Sequence, residues 1–252
     1  MFNFAFLKKE IKEMIKTPKL IIIGSVFVFF AIIGPLSAKY MNELIAMFAT
    51  DIEISFPDPT HIQSWEQFYS NITSISMIVF LIMMTGTVVA EKNKGSIYLI
   101  LTKNVTRTSL LLSKMLAGVL LFTSIFIISV LISWYYTWVL FGQVVYEGLM
   151  LSLFSVYMLG IFFSMIAIFL SVVLKSTTHA ALLAFAIYAV LNILTILSSI
   201  NLYNPAGAAT LVLNQLKGVD VTHNLIINII MTILISSILA VASVRIFKKQ
   251  EL

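Results

Sequence analysis

Three histidines, His61, His179 and His223, are the only imidazoles in the sequence, and each falls in a different predicted loop. Their spacing matches no metal-ligand pattern of the H-E-x-x-H kind. With no cysteine in the chain, thiolate metal sites, disulfides and thiol nucleophiles are excluded. None of the 10 glycines belongs to a phosphate loop of the G-x-x-x-x-G-K-[ST] type, so the sequence offers no means of hydrolysing ATP by itself. No catalytic residue and no metal ligand is assigned. What remains is a dense run of charge, Glu91-Lys92-Asn93-Lys94-Gly95-Ser96-Ile97-Tyr98-Leu99-Ile100-Leu101-Thr102-Lys103-Asn104-Val105-Thr106-Arg107. It frames an apolar stretch, residues 97–101, that is far too short to span a bilayer. Gly95 can turn the chain sharply, and Ser96 can cap a short helix after it. Such a helix suits the docking of another protein. A solvated loop whose basic residues only set topology accounts for the same residues, and both readings stand at this point.

The elements that position this run are membrane helices. The chain is 60% hydrophobic and 11% charged, with a mean hydropathy of +1.03. Soluble domains are about half apolar and about a quarter charged, so most of this chain must face lipid. Six apolar runs are long enough to cross as helices: 20–37, 72–90, 110–138, 149–174, 180–200 and 225–247. Residues 1–19 precede them as an amphipathic interfacial helix, with Phe4, Leu7, Ile11, Met14 and Ile15 on one face and Pro18 as its stop. Ser64 with Gln67 reads as a capping box opening the second span. The net charge of +5 is spread along the span ends, so nucleic acid is excluded as a partner.

Orientation follows from the loops. Of the 16 basic residues, 14 lie in segments 1–19, 91–114, 175–179 and 245–252, whereas 7 of the 11 acidic residues lie on the other side. The positive-inside rule then expects both termini in the cytoplasm. Trp65, Phe68 and Tyr69, and the Trp134 to Trp138 cluster, are expected at the outer headgroup layer.

The spans have no ionisable side chain near their centres, which removes proton-coupled transport and intramembrane proteolysis. Glu91 and Lys114 sit at span ends, where such side chains snorkel to water. The interior polar residues are mild, and Asn192 and Asn228 stand out because a buried amide needs partners. Phe27, Phe30, Met83 and Asn192 are candidates for lining a translocation path; lipid-facing or interior packing explains the same residue types.

The run from Glu91 to Arg107 resembles the loop of the ATP-binding-cassette type-2 export permeases. Their pattern is roughly E-[KR]-x-x-G-[ST]-h-x-x-h-L-[ST]-x-P-h-[ST]-R followed by a basic residue early in the third helix. Glu91, Lys92, Gly95, Ser96, Leu101, Thr102, Val105, Thr106, Arg107 and Lys114 match, and Asn104 stands where the family has proline. The opening Leu7-Lys8-Lys9-Glu10-Ile11-Lys12 is also similar. The resemblance implies an all-α membrane protein with six transmembrane helices, an N-terminal interfacial helix and a cytoplasmic coupling helix between helices two and three. It implies a permease subunit of a bacterial exporter, a partner ATPase subunit that binds ATP and Mg, a second permease subunit, and membrane lipid around both. On this reading Ile97, Tyr98, Leu99 and Leu101 are apolar anchors for the ATPase. Glu91, Lys94 and Arg107 pair with charges on the ATPase or on the N-terminal helix; Lys175 and His179 make a secondary contact or, as their place in a short basic loop favours, only set topology. Residues 204–208 resemble the family's re-entrant segment before the sixth span. Cargo of this class is a hydrophobic or amphipathic peptide or lipid-like molecule. The alternative is a non-transporting immunity, sensor or scaffold protein of the membrane.

Overall fold

The computed structural model describes residues 4–48, 58–97 and 105–250, and among these the chain is helical with no strand. In chain order the helices are α1 (Phe4–Lys16), α2 (Pro18–Phe48), α3 (His61–Asn71), α4 (Met77–Met84), α5 (Gly86–Asn93), α6 (Arg107–Phe141), α7 (Leu149–Val173), α8 (Thr177–Leu194), α9 (Gly207–Leu216) and α10 (Thr222–Lys249). Six stretches are long and apolar enough to cross a membrane: Pro18–Glu43, His61–Asn93, Arg107–Phe141, Leu149–Val173, Thr177–Leu194 and Thr222–Lys249. Of these, α7 is the most enclosed by protein and α8 the least. The end holding α1 and the 94–106 segment is called the basic end below.

α1 is amphipathic, but its protein-facing residues are Phe6, Glu10 and Met14, one turn apart and packed on α6. Phe4 and Ile15 are exposed on the adjoining face. Of the expected apolar face, Leu7, Ile11 and Met14 thus pack against the protein, and Phe4 and Ile15 are left exposed. Thr17 breaks the helix, and Pro18 starts α2, where a missing N–H costs nothing.

The second span is built from α3, a π-helical turn at Ile72–Ser76, α4 and α5. It starts at His61, eleven residues before the predicted span and with its cap one turn before Ser64. Thr60 is the N-cap and Gln63 closes the capping box, its Oε1 accepting from Thr60 N at 2.8 Å. Ser64 is instead buried, 2.6 Å from Thr137 Oγ1. Trp65, Phe68 and Tyr69 are fully buried within the protein. Burial obliges their polar ends to find partners: Trp65 Nε1 donates to the Val144 carbonyl at 2.8 Å, and Tyr69 OH lies 2.9 Å from Tyr146 OH. Tyr135 and Trp138 do face outward.

Both irregularities of this span are repaired by neighbours. A π turn displaces the regular backbone ladder, and the Tyr188 hydroxyl from α8 donates to the carbonyls of Thr73 (2.9 Å) and Ser74 (3.3 Å). The break at Thr85 leaves the first N–H groups of α5 without partners in their own helix. Ser171 Oγ from α7 accepts from Val88 N at 2.8 Å and Val89 N at 3.0 Å.

The three histidines lie in the first turns of α3, α8 and α10, not in loops. The fifth span ends at Leu194, six residues before its predicted end, because the chain passes into tight turns and the Thr195 carbonyl accepts from the Asn201 side chain at 3.1 Å. Those turns lead into α9, which packs on α3, α7 and α10. Asn228 Nδ2 fastens them by donating to the carbonyls of Asn201 and Asn204, both at 2.8 Å. A methyl group on Gly207 would sit 2.3 Å from the Asn201 carbonyl oxygen, so only glycine fits there. Gly207→Ala is expected to lower stability by about 1–3 kcal/mol through this overpacking. Thermal unfolding in detergent measures it, with Gly24→Ala, where nothing lies within 4 Å, as the neutral control.

Candidate functional site: the basic end

The 94–106 segment leaves α5 through Lys94 and Gly95. Gly95 has φ +70, a left-handed conformation that its lack of Cβ permits. Ser96 Oγ donates back to the Glu91 carbonyl at 3.2 Å and so tightens the turn, and Ser96 and Ile97 are themselves helical. Tyr98, Leu99 and Leu101 lie outside the described residues. The chain returns at Val105 and Thr106, where Thr106 caps α6 by accepting from Ser109 N at 3.2 Å.

Beneath the segment is a separate apolar cluster that includes Phe6, Val88, Ile97, Leu110, Val172 and Phe247. Ile97 is fully buried in it. Ile97 thus packs against its own protein and ties the start of the segment to it.

The electrostatic centre is Lys114 in α6. Its side chain is 1% exposed, and its ammonium meets Glu10 Oε2 of α1 at 2.8 Å and Glu91 Oε1 of α5 at 2.7 Å. The expected snorkelling of Lys114 does not occur: the ammonium turns inward because two carboxylates replace its water. Desolvating an ammonium costs several kcal/mol, on the order of what a well-placed pair returns, so the triad specifies geometry more than it adds stability. Lys9 extends the network, reaching Glu13 at 2.6 Å, Glu10 at 3.1 Å and Glu91 at 3.8 Å. Burial pulls the Lys9 pKa down, but the Glu13 hydrogen bond and the charges of Glu10 and Glu91 outweigh it and hold the ammonium above its ordinary value. Burial likewise pushes Glu13 up, and its contact with Lys9 more than reverses that, leaving it below the usual 4.5.

Carboxylate oxygens of Glu10, Glu13 and Glu91 lie within 4.8 Å of one another. Lys9 and Lys114 already face them, so the arrangement is an ion-pair network and not a metal-ligand set. Next to it is a cleft of about 390 Å³ whose lining includes Thr17, Lys19, Lys94 and Ser96.

Of the charged candidates, Glu91 joins the N-terminal helix through Lys9 and Lys114, whereas Lys94 only lines the cleft. Arg107 turns to the end of α10, where its Nη1 donates to the carbonyls of Phe247 (3.5 Å), Lys248 (3.3 Å) and Gln250. Those are orphan carbonyls of a helix C-terminus, a favourable place for a cation. His179 and Lys175 are exposed at the start of α8. The four path candidates are scattered. Phe27 is buried edge-on against Phe122, with ring centroids 6.1 Å apart, and Phe30 packs on Phe29 at 5.2 Å. Met83 is half-buried against the main core, and Asn192 donates to its own helix at Tyr188 O, 2.9 Å away. Among the described residues no hydrogen bond or ring contact joins these four.

Sequence reasoning missed Glu10, the Ser171 bridge and Gln250. Glu10 carried a signal, since it sits one turn from both Phe6 and Met14 on the buried face of α1.

Two outcomes are expected. Lys114→Met leaves buried Glu10 and half-buried Glu91 with only the more exposed Lys9 as counter-charge and should cost roughly 2–4 kcal/mol, with most of it recovered on adding Glu10→Gln and Glu91→Gln. Thermal unfolding and protease access to α1 measure this. The Lys9–Glu13 pair, which lies within α1, should support that helix across the neutral range. Its contribution is present above the ordinary Glu13 value of 4.5 and is lost as pH falls through the lowered folded-state value. At the other limit it is present below 10.5 and is lost as pH rises through the raised value of Lys9. Limited proteolysis of α1 against pH checks both limits.

No curated protein matches the chain. The family described as "ABC-2 family transporter protein" matches residues 4–252. That match spans the interfacial helix, all six membrane-crossing stretches and the segment between α5 and α6. The chain belongs to the ABC-2 transporter family, as a multi-pass permease subunit that works with a separate ABC ATPase.

Proposed function

We propose that this chain is the permease of a bacterial exporter, that it lies in the cytoplasmic membrane with both termini inside, and that it pairs with a second permease subunit. The basic end faces the cytoplasm, in accord with the clustering of lysine and arginine there. The ATPase subunit supplies ATP and Mg, and it seats on the segment containing Gly95, Ser96, Tyr98, Leu99 and Leu101. Lys94 and the exposed lysines around it contribute the charged rim. The cargo is a hydrophobic or amphipathic peptide or a lipid-like molecule, with Phe27, Phe30, Met83 and Asn192 as the residues proposed to line its path. Residues 204–208 and α9 close the outer end as a re-entrant element.

The observation that carries this reading is the anchoring of the 94–106 segment. A loop that only set topology needs no fixed base. This one rests on a buried triad, Glu10–Lys114–Glu91, and on an apolar cluster that takes in Ile97. The triad makes α1, α5 and α6 one unit, so force applied to the segment reaches three elements together.

The test is purification of the tagged protein in mild detergent, with mass spectrometry of what accompanies it and an ATPase assay. An ABC ATPase subunit is expected in the complex, with ATP hydrolysis. Tyr98→Ala combined with Leu101→Ala should reduce the retained ATPase at least tenfold while leaving membrane insertion intact. Full retention in that variant would sink the docking assignment. A clean, inactive homo-oligomer from the unsubstituted chain would favour an immunity, sensor or scaffold role instead.

A further inference from the structure

The two basic residues that bracket the 94–106 segment both turn to the last turn of α10. Lys92 Nζ donates to Gln250 Oε1 at 2.6 Å and to the Val172 carbonyl at 2.5 Å, and it lies 5.7 Å from the centroid of the Phe247 ring. Arg107, on the other side of the segment, donates to the carbonyls of Phe247, Lys248 and Gln250. Gln250 Nε2 donates to the Val172 carbonyl at 2.8 Å, and its own backbone N–H closes α10 on Ile246 O at 3.1 Å. Gln250 thus engages every polar group it has. It touches the end of α5, the start of α6, the end of α7 and the end of α10.

We propose that Gln250 is a positioning residue for the coupling segment. Fourteen residues of chain separate Lys92 from Arg107, and a free loop of that length absorbs a push by bending. Tying both feet to one residue on a third element fixes their separation. A displacement of the segment is then passed to α7 and α10 as well as to α5 and α6. Neutralising the α10 terminus needs only Arg107 and main-chain carbonyls. The Gln250 side chain, bridging Lys92 to Val172, adds a connection that terminus chemistry does not require. The proposal rests on the reading of the 94–106 segment as the ATPase-docking element.

The experiment uses the complex with its ATPase subunit in lipid nanodiscs, with Gln250→Ala and Lys92→Met made singly and together. Gln250→Ala is expected to raise amide hydrogen exchange at least threefold over residues 92–107, with residues 195–206 at the opposite end unchanged. ATP hydrolysis in the complex, relative to the isolated ATPase subunit, should fall at least threefold although the ATPase still co-purifies. Because the two side chains share one bridge, the double variant should be no worse than the worse single one. Unchanged exchange over 92–107, or fully additive effects, would overturn the clasp. A loosened segment with undiminished hydrolysis would overturn its role in coupling. The docking reading is judged separately by the Tyr98→Ala, Leu101→Ala variant, which leaves Gln250 intact.

Discussion

An ammonium that is almost wholly enclosed in a membrane protein has to carry its counter-charges with it, and Lys114 does so with one carboxylate from each of two other helices. Much of the basic end follows from that requirement. α1 cannot leave α6 without stranding Lys114 or Glu10, and α5 cannot rotate without withdrawing Glu91. The apolar cluster around Phe6, Ile97 and Leu110 is held in register by the same contact. Coulomb attraction is strong where water is excluded, so this pairing resists salt far better than an exposed ion pair.

The second span shows a different economy. It departs from regular helix at Ile72–Ser76 and again at Thr85, and each departure frees backbone groups that lipid cannot satisfy. Hydroxyls on α8 and α7 satisfy them. The irregular span is therefore tied to its two neighbours at the places where its own ladder is weakest. The 94–106 segment hangs from the last piece of this span, α5, which is a short helix bounded by the break at Thr85 and the turn at Gly95.

Hydropathy and charge made the six spans and the interfacial helix legible, because both are sums over many residues and survive local error. The Gly95 turn was legible too, since glycine there has a direct steric meaning. What sequence did not reveal depends on which helices meet. Ile97 looks like a docking anchor when only its flanking charges are considered, and it is buried because the cluster from α6, α7 and α10 closes over it. Trp65 and Tyr69 read as outward-facing aromatics, and only the approach of Val144 and Tyr146 supplies their polar ends with partners inside the protein. The capping box was displaced by one turn because Thr60 with Gln63 competes with Ser64 and Gln67, and Thr137 claims the Ser64 hydroxyl. Lys114 at a span end reads as a snorkelling residue, and only the approach of Glu10 and Glu91 turns it inward.

α8 is the span least enclosed by protein, and its buried face is small apart from Tyr188. That tyrosine lies within reach of two successive carbonyls, Thr73 and Ser74. One hydroxyl is therefore shared between two carbonyls, a polar latch on a helix face whose other buried residues are the alanines Ala180 and Ala184.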